Sequence, residues 1–223
     1  MTTFFTADLH LGHENIIRYA GRPFPSADEM DDALVAMWND IVGAGDDVWV
    51  LGDVAMGRID RSLALVGLMA GTKRLVVGNH DRCFRRGAGT EKDLRDVDRW
   101  TARYAQAGFD EIIWGSTTLV LPGIAEPVEA CHFPYSGDSQ EHERFVDHRP
   151  VDHGRVLLHG HVHGSWRRHG RMINVGVDAW AGRPVDTSTL REVVERARHD
   201  PDGEEPPLPW SAVGAELAPP GRR

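Results

Sequence analysis

Cysteine is scarce in this chain, which has two in 223 residues. Cys83 and Cys131 lack the C-x-x-C spacing and are too few for a cysteine-based zinc site, so we expect reduced thiols, with Cys131 in the core. No apolar run is long enough to cross a bilayer, and no basic and apolar leader opens the chain. The sequence therefore predicts a soluble protein of the cytoplasm.

An excess of positive charge is also missing. Lysine and arginine number 25 against 34 aspartates and glutamates, which gives a formal net charge of −9. Because affinity for nucleic acids comes largely from lysine and arginine contacts with phosphates, this balance argues against a general nucleic-acid binder. A local basic strip at Arg82, Arg85 and Arg86 stays open, although exposed loop arginines are most often simply solvated.

Clusters of aspartate and histidine follow short apolar runs at four places, with His132 between the last two. Each run is typical of a strand, and strand ends form the edge at which open α/β sheets bind ligands. We therefore expect these clusters to meet in one place. They are Asp8-Leu9-His10, Gly52-Asp53, Gly78-Asn79-His80-Asp81 and Gly160-His161-Val162-His163.

The residue types in these clusters indicate a site for two metal ions. Carboxylate oxygens and imidazole nitrogens suit divalent transition metals, and a pair of ions needs a bridging ligand, for which Asp53 is the candidate. Asp8 and Asp53 together leave two dications with excess positive charge, which attracts a phosphate group and polarises it. Phosphoryl transfer is the predicted chemistry.

The motifs differ in how specifically each one, taken alone, indicates a metal site. An Asp-x-His triplet or a Gly-Asp pair usually marks a surface turn, whereas a turn explains only the first two residues of Gly78-Asn79-His80-Asp81. On a strand, His159, His161 and His163 would share one face. Packing in the strand is a simpler interpretation of His159 than metal binding. A metallo-β-lactamase-like site is disfavoured, because its His-x-His-x-Asp-His motif fails after His163.

In this order the motifs resemble those of the calcineurin-like metallophosphoesterases, over residues 8–163. The segment 8–17, followed by Arg22-Pro23-Phe24, is similar to a small bacterial and phage branch of that superfamily. The resemblance implies an α/β fold, a four-layer α/β/β/α sandwich of two mixed β-sheets flanked by helices. It also implies a dinuclear centre of two divalent transition-metal ions, with Mn expected and Fe, Zn or Co as alternatives.

The resemblance assigns a role to each motif residue. One ion is held by Asp8, His10, Asp53 and His163, and the other by Asp53, Asn79, His132 and His161. His80 stabilises or protonates the leaving oxygen, and Asp81 orients its imidazole. His13 and Arg82 are candidate substrate contacts, although His13 could instead cap a helix.

The implied reaction is hydrolysis of a phosphoester by a metal-bridging hydroxide. Relatives with aspartate after Gly-Asn-His include many diesterases, some acting on cyclic nucleotides, so we predict a phosphodiesterase for a small phosphodiester. A phosphomonoesterase, a nuclease or a non-hydrolytic metal-binding scaffold remains open. The expected partner is a small phosphoester, not nucleic acid in general or a membrane, and the oligomeric state is open.

Periodicity and turn signals predict alternating strands and helices in the first half and hairpin-like strands in the second. Ser26-Ala27-Asp28-Glu29 has the spacing of a capping box at a helix start, and Thr189 is a possible cap of the last helix. The other predicted helices cover 59–70, 92–107 and 187–198, and strands cover 109–114, 117–121 and 128–132. Residues 134–150 are predicted to form a loop over the site.

The sequence predicts one domain over residues 1–199 and a flexible tail over residues 200–223. The tail is rich in proline, glycine and glutamate, and buries too little apolar surface to offset the entropy of ordering it. A competing interpretation is that Leu208, Trp210 and Val213 dock on the domain or on a second subunit.

Overall fold

The computed structural model describes residues 1–87 and 89–213. Its strands are β1 (Thr3–Thr6), β2 (Asp47–Val50), β3 (Thr72–Val76), β4 (Phe109–Ile113), β5 (Ser116–Leu119), β6 (Val128–Cys131), β7 (Leu157–His159), β8 (Arg168–His169), β9 (Met172–Asn174), β10 (Val185–Asp186) and β11 (Glu204–Glu205). Its helices are α1 (Glu14–Tyr19), α2 (Ala27–Asn39), α3 (Ile59–Ala64), α4 (Glu91–Ala107) and α5 (Thr187–His199).

The strands form two mixed sheets. The first has the order β10-β1-β2-β3-β4, in which β1 to β4 are parallel and β10 is antiparallel. The second has the order β11-β8-β9-β7-β6-β5, with parallel pairs where β7 meets β6 and β9. Two mixed sheets with flanking helices confirm the predicted α/β architecture.

The core has one part on each side of the first sheet, because successive strand residues point to opposite faces. Phe4 packs on the side where α2, α3 and α4 lie. Phe5 faces the second sheet, in a core that also contains Leu158 and the buried face of α5. On the far face of the second sheet, Leu157 packs with Phe133 and Phe145 from the loop region.

Helix starts show where local sequence decides structure. The Ser26 hydroxyl accepts a hydrogen bond from the Glu29 N–H at the start of α2, as the predicted cap requires. The helix predicted over 59–70 is shorter, since α3 ends at Ala64 and a 3-10 turn, Leu65–Leu68, follows. The cap predicted at Thr189 is wrong, because the Asp186 carboxylate accepts the first N–H groups of α5.

The segment after α5 packs on the domain instead of forming the free tail that its composition predicts. Strand β11 pairs with β8, and Leu208 forms a bridge with Trp180. The Trp210 ring lies 5.6 Å from that of Phe24. The free-tail prediction is therefore wrong up to Trp210, while residues 214–223 lie outside the described residues.

The helices of the described ranges are too short or too polar to span a membrane.

Candidate metal centre

The predicted clusters meet at one edge of the two sheets. Asp8, Asp53 and Asn79 follow β1, β2 and β3, which are parallel neighbours and so end on the same side. His132 follows β6, and His161 follows its parallel neighbour β7. The convergence expected from strand ends is confirmed.

The backbone around the site lies in an unusual conformation. Seven non-glycine residues in the described part of the chain have positive φ, and five of them are predicted metal ligands. Residues other than glycine rarely adopt this left-handed backbone region, because it costs of order 1–3 kcal/mol for each residue. Residues in such strained conformations cluster at functional sites. The five are Asp8, His10, Asp53, His161 and His163.

Two glycines of the motifs are required by close packing. A Cβ atom on Gly52 would lie 2.5 Å from the His132 Nδ1, and one on Gly78 would lie 2.4 Å from an Asp53 carboxylate oxygen. Both distances are shorter than any van der Waals contact. The Gly-Asp and Gly-Asn-His sequences therefore bring the backbones of two loops close to the same ligands.

Asp8, His10 and His163 form the first group of converging donor atoms, all within 4.8 Å of one another. Both ring nitrogens of His10 are buried without a hydrogen-bond partner among the described residues. Burial, followed by the neighbouring His163, lowers the pKa of His10, so its imidazole is neutral. An unpartnered, neutral imidazole in a buried cluster is suited to binding a metal ion.

Asp8, Asp53 and His132 form the second group, again within 4.8 Å. The His132 Nδ1–H donates to the Leu51 carbonyl at 2.8 Å, which leaves the Nε2 lone pair facing the site. That Nε2 lies 3.1 Å from the Asn79 amide oxygen. Asn79 therefore adds a neutral oxygen donor to this group.

Asp53 lies between the two groups. Its Oδ2 is 3.6 Å from the His10 Nε2 and 3.5 Å from the His132 Nε2, one histidine from each predicted ion. Asp8 contributes to both groups as well. The geometry supports the predicted bridging role of Asp53.

The ionised forms of Asp8 and Asp53 are unfavourable without nearby cations. Burial raises the pKa of Asp8 to about 6, and burial together with the nearby Asp81 raises that of Asp53 to about 8. Carboxylate oxygens, imidazole nitrogens and one amide oxygen are donors that transition metals accept. The residues present therefore fit two divalent ions.

Asp178 was missed by sequence reasoning. Its carboxylate lies 3.2 Å from the His163 Nδ1 and accepts two hydrogen bonds from the buried Arg22 guanidinium, at 2.8 and 2.9 Å. The Arg22 and His163 contacts help keep the pKa of Asp178 low, at about 2, although burial opposes this. Asp178 thus orients a predicted ligand, and nothing in its local sequence signals the role.

Asp138 was also missed, in the predicted loop 134–150. Its carboxylate lies 3.1 Å from the His161 Nε2 and accepts hydrogen bonds from Arg144. His161 lies in neither group of converging donors, and its ring centre is 5.3 Å from that of His132. With Nε2 facing Asp138, the Nδ1 atom is the one left for a metal, and the ligand role of His161 stays a prediction.

Asp81 does not orient His80, and that prediction is wrong. Its two carboxylate oxygens accept hydrogen bonds from the backbone N–H groups of Asp53, Val54 and Gly78, at 2.8 to 3.0 Å. None of its hydrogen bonds within the described ranges involves the His80 ring. Asp81 instead ties the loop after β2 to the loop after β3.

His80 stands at the rim of the site. Its backbone N–H donates to the Asp53 Oδ1 at 2.8 Å, and its ring centre lies 5.3 Å from that of His10. Partial burial, followed by the neighbouring His132, lowers the pKa of His80. At neutral pH its imidazole is therefore neutral and offers one N–H to a substrate.

The two predicted substrate contacts lie on different sides of the site. The His13 ring centre is 5.4 Å from that of His10, and His13 precedes α1 without a side-chain cap hydrogen bond, so the capping interpretation is wrong. Arg82 is exposed and lies 5.3 Å from the Trp100 ring. It lines a cavity that begins at Asn79 and His80.

Both cysteines are free and buried, as expected for thiols outside the chemistry. Burial raises the pKa of Cys131 to about 12 and that of Cys83 further, so both thiols are protonated and inert at neutral pH.

Comparison with known families identifies the family of this chain. The sequence model described as calcineurin-like phosphoesterase matches residues 1–171. The chain belongs to the calcineurin-like phosphoesterase family. The family membership and the two converging donor groups together make the protein a metal-dependent phosphoesterase.

Relatives of this chain include phage proteins of similar length. The chain is 33% identical to the gene 66 protein of Mycobacterium phage L5 over 90% of its length and 97% of the phage protein. The gene 66 protein of Mycobacterium phage D29 is 35% identical, over 86% of the chain and 94% of the phage protein. These matches agree with the predicted small phage and bacterial branch.

A solved structure shares the fold at lower identity. A protein of unknown function from Aquifex aeolicus aligns with a TM-score of 0.61 and 22% identity, over 86% of this chain and 98% of that one. This likeness concerns the fold.

Proposed function

We propose that the protein is a phosphodiesterase that hydrolyses a small phosphodiester with two divalent ions, Mn²⁺ being the best activator. The observation that carries the choice of a diester is a cavity of about 610 Å³ that begins at Asn79 and His80. A phosphomonoester presents one organic group to the site, whereas a diester needs room for a second. Cavities of this size hold molecules of nucleotide dimensions.

Each proposed ligand has its own task. Asp8, His10 and His163 would hold one ion, Asn79, His132 and His161 would hold the other, and Asp53 would be a ligand of both. When bound, the ions supply a polarised phosphoryl group and a nucleophile of lowered pKa at neutral pH. Asp138 and Asp178 fix the rings of His161 and His163.

His80 is proposed to act on the leaving oxygen. Its lowered pKa makes it a neutral imidazole, which stabilises the developing alkoxide through an N–H hydrogen bond more readily than it delivers a full proton. Its position between Asp53 and the cavity supports a leaving group on the cavity side. Of the two roles that the family resemblance allows, we therefore propose stabilisation.

The test compares metal content with activity. Protein depleted of metal is reloaded with Mn²⁺, Zn²⁺, Fe²⁺, Co²⁺ or Mg²⁺ and assayed on bis(p-nitrophenyl) phosphate and on p-nitrophenyl phosphate. We expect faster turnover of the diester, with Mn²⁺ the best activator. Faster turnover of the monoester would overturn the diesterase assignment, and no turnover with any ion would favour a scaffold.

Two substitutions separate metal binding from leaving-group stabilisation. We expect Asp53→Ala to lose both activity and bound metal, because it removes the carboxylate that both ions contact. His80→Ala is expected to lose roughly 10²- to 10⁴-fold in kcat while retaining both metals, the usual range for such a group. Elemental analysis of both variants decides, and loss of metal from His80→Ala would contradict its role.

A further inference from the structure

Three arginines without a salt bridge in the described part of the chain line the cavity beside His80. They are Arg82, Arg85 and Arg86, all exposed, and they follow the Gly78-Asn79-His80-Asp81 motif directly. In contrast, the arginines on the other sides of the site are neutralised, Arg22 by Asp178 and Arg144 by Asp138. Free positive charge is therefore concentrated on one wall of this cavity.

Two of these arginines are held by tryptophan rings. The Arg82 guanidinium lies 5.3 Å from the Trp100 ring centre, and the Arg85 guanidinium lies 4.8 Å from that of Trp114. A ring below the guanidinium plane restrains it and leaves the N–H edges open. These edges are suited to bidentate hydrogen bonds with phosphate oxygens.

Acidic residues in the same wall cancel only part of this charge. The Asp93 carboxylate accepts hydrogen bonds from Thr90 at the start of α4, and Asp96 pairs with Arg99 at 3.1 Å. Asp81 is buried and already accepts backbone N–H groups. The cavity therefore offers an excess of positive charge in a chain with a net charge of −9.

We propose that this arginine-lined cavity binds a second phosphate on the leaving group of the substrate. The inference rests on the proposed function, since it is His80 that places the leaving group on this side. The substrate class is thus a small phosphodiester whose leaving alcohol carries a further phosphate, as in a nucleotide-like bisphosphate with one phosphate esterified to a second organic group. A nucleic-acid end is less favoured, because the free arginines are confined to one cavity and the chain is acidic overall.

Inhibition by a substrate analogue tests the subsite directly. Adenosine 3′,5′-bisphosphate resembles the reacting phosphate still joined to a leaving alcohol that carries a second phosphate, and adenosine 5′-monophosphate and adenosine 3′-monophosphate each lack one of the two. Inhibition constants are measured against Mn²⁺-activated hydrolysis of bis(p-nitrophenyl) phosphate. We expect the bisphosphate to inhibit at least about 10-fold more tightly than either monophosphate, as two charge-assisted contacts provide.

Paired variants identify the source of that advantage. In Arg85→Ala/Arg86→Ala, the ratio of the monophosphate to the bisphosphate inhibition constant is expected to fall below about threefold, since the second phosphate loses its donors. Arg18→Ala/Arg191→Ala removes two exposed arginines outside the cavity and should keep the full ratio. Because a ratio is compared, a general change in activity does not affect the result.

The outcomes separate this inference from the proposed function. Turnover of the diester without a bisphosphate advantage, or an equal loss of that advantage in both double variants, would overturn the subsite alone. If no metal supports turnover, calorimetric titration of adenosine 3′,5′-bisphosphate into the metal-free protein still tests the cavity. Tighter inhibition by 5′-phosphorylated oligothymidylate than by the bisphosphate would overturn the small-molecule class in favour of a nucleic-acid end.

Discussion

Asp178 is a buried carboxylate that contacts the predicted ligand His163 and also forms a buried ion pair with Arg22. Asp178 and Arg22 are each almost completely buried, and such a pair rarely adds net stability, because both charges lose their hydration. Arg22 also donates to the carbonyl oxygens of Leu9 and Asp8, within the first motif. The pair therefore fixes the position of that motif relative to His163.

Asp178→Asn should weaken metal binding about 10- to 100-fold, the usual effect of losing a carboxylate that orients a ligating histidine. The amide keeps the shape of the side chain but is a weaker acceptor for the His163 N–H. Competition against a fluorescent chelator measures the affinity. Asp152→Asn, which removes the partner of Arg171 on the surface, serves as control and should bind metal normally. Equal affinities in the two variants would refute the positioning role.

The raised pKa values of Asp8 and Asp53, about 6 and about 8, give metal binding a defined pH dependence. Below these values protons compete with cations for the two carboxylates, so stabilisation by Mn²⁺ should increase from about pH 5.5 to about pH 8. In the metal-free protein, the stability that the neutral forms of these two carboxyls contribute is instead lost as pH rises from about 4, near their unfolded pKa, to about 8.

Thermal melting with and without Mn²⁺ at both pH values measures this effect. Asp53→Asn, which cannot ionise, should show a smaller increase with pH than the unmodified protein. A metal-induced rise in Tm that is as large at about pH 5.5 as at about pH 8 would contradict the assignment.

The loops after β2 and β3 are joined by hydrogen bonds to one buried carboxylate, that of Asp81. Asp81 joins the loops after β2 and β3 through three buried backbone N–H groups, and Tyr104 on α4 donates to the same carboxylate at 3.2 Å. The helix on the outer layer is thereby connected to the metal site. The fourth residue of the Gly78-Asn79-His80-Asp81 motif is needed for architecture.

Asp81→Ala should reduce the free energy of unfolding by about 3 kcal/mol or more, because it leaves buried N–H groups without acceptors. Asp98→Ala, an exposed position on the same helix as Tyr104, should change it by less than about 0.5 kcal/mol. Urea denaturation of the metal-free proteins measures both. A stable Asp81→Ala variant that has lost only activity would restore the orienting role predicted from sequence.

Sequence alone predicted the elements that carry the ligands, because each apolar run followed by aspartate, asparagine or histidine is a local signal of a strand ending at a site. It could not predict what holds the ligands. Asp178 is 156 residues from Arg22, and Asp138 is 23 from His161, so both contacts depend on the completed fold. For Asp81, sequence proximity to His80 suggested a partner that the backbone geometry does not provide.

At the scale of the whole molecule, the segment after α5 completes the second sheet. Glu205 in β11 accepts hydrogen bonds from Arg167, Arg168 and Arg196, which keeps its pKa low, at about 2, against the effect of partial burial. Composition suggested a free tail because it records how few apolar residues the segment has. Composition does not show that the Glu205 carboxylate accepts hydrogen bonds from three arginines of the domain.

Truncation after Asp200 should lower Tm by about 5 °C or more, since a loss of 1 kcal/mol shifts Tm by roughly 2–4 °C in a chain of this size. It removes β11, the Leu208 bridge and the Trp210 contact, and leaves the buried Arg168 without Glu205. Calorimetry measures the shift. Trp210→Ala should reproduce part of it, whereas an unchanged Tm in the truncated protein would favour the free tail.

The position of β10 in the first sheet sets an order on biosynthesis. Strand β1 is made first, yet its antiparallel neighbour, Val185–Asp186, is made more than 170 residues later. At roughly 5–20 residues per second, translation leaves β1 without this neighbour for on the order of 10 s or longer. His163, which lies close to Asp8, and Asp178, which orients His163, are also synthesised late. Metal binding by the full set of predicted ligands therefore follows synthesis of the segment that contains His163 and Asp178.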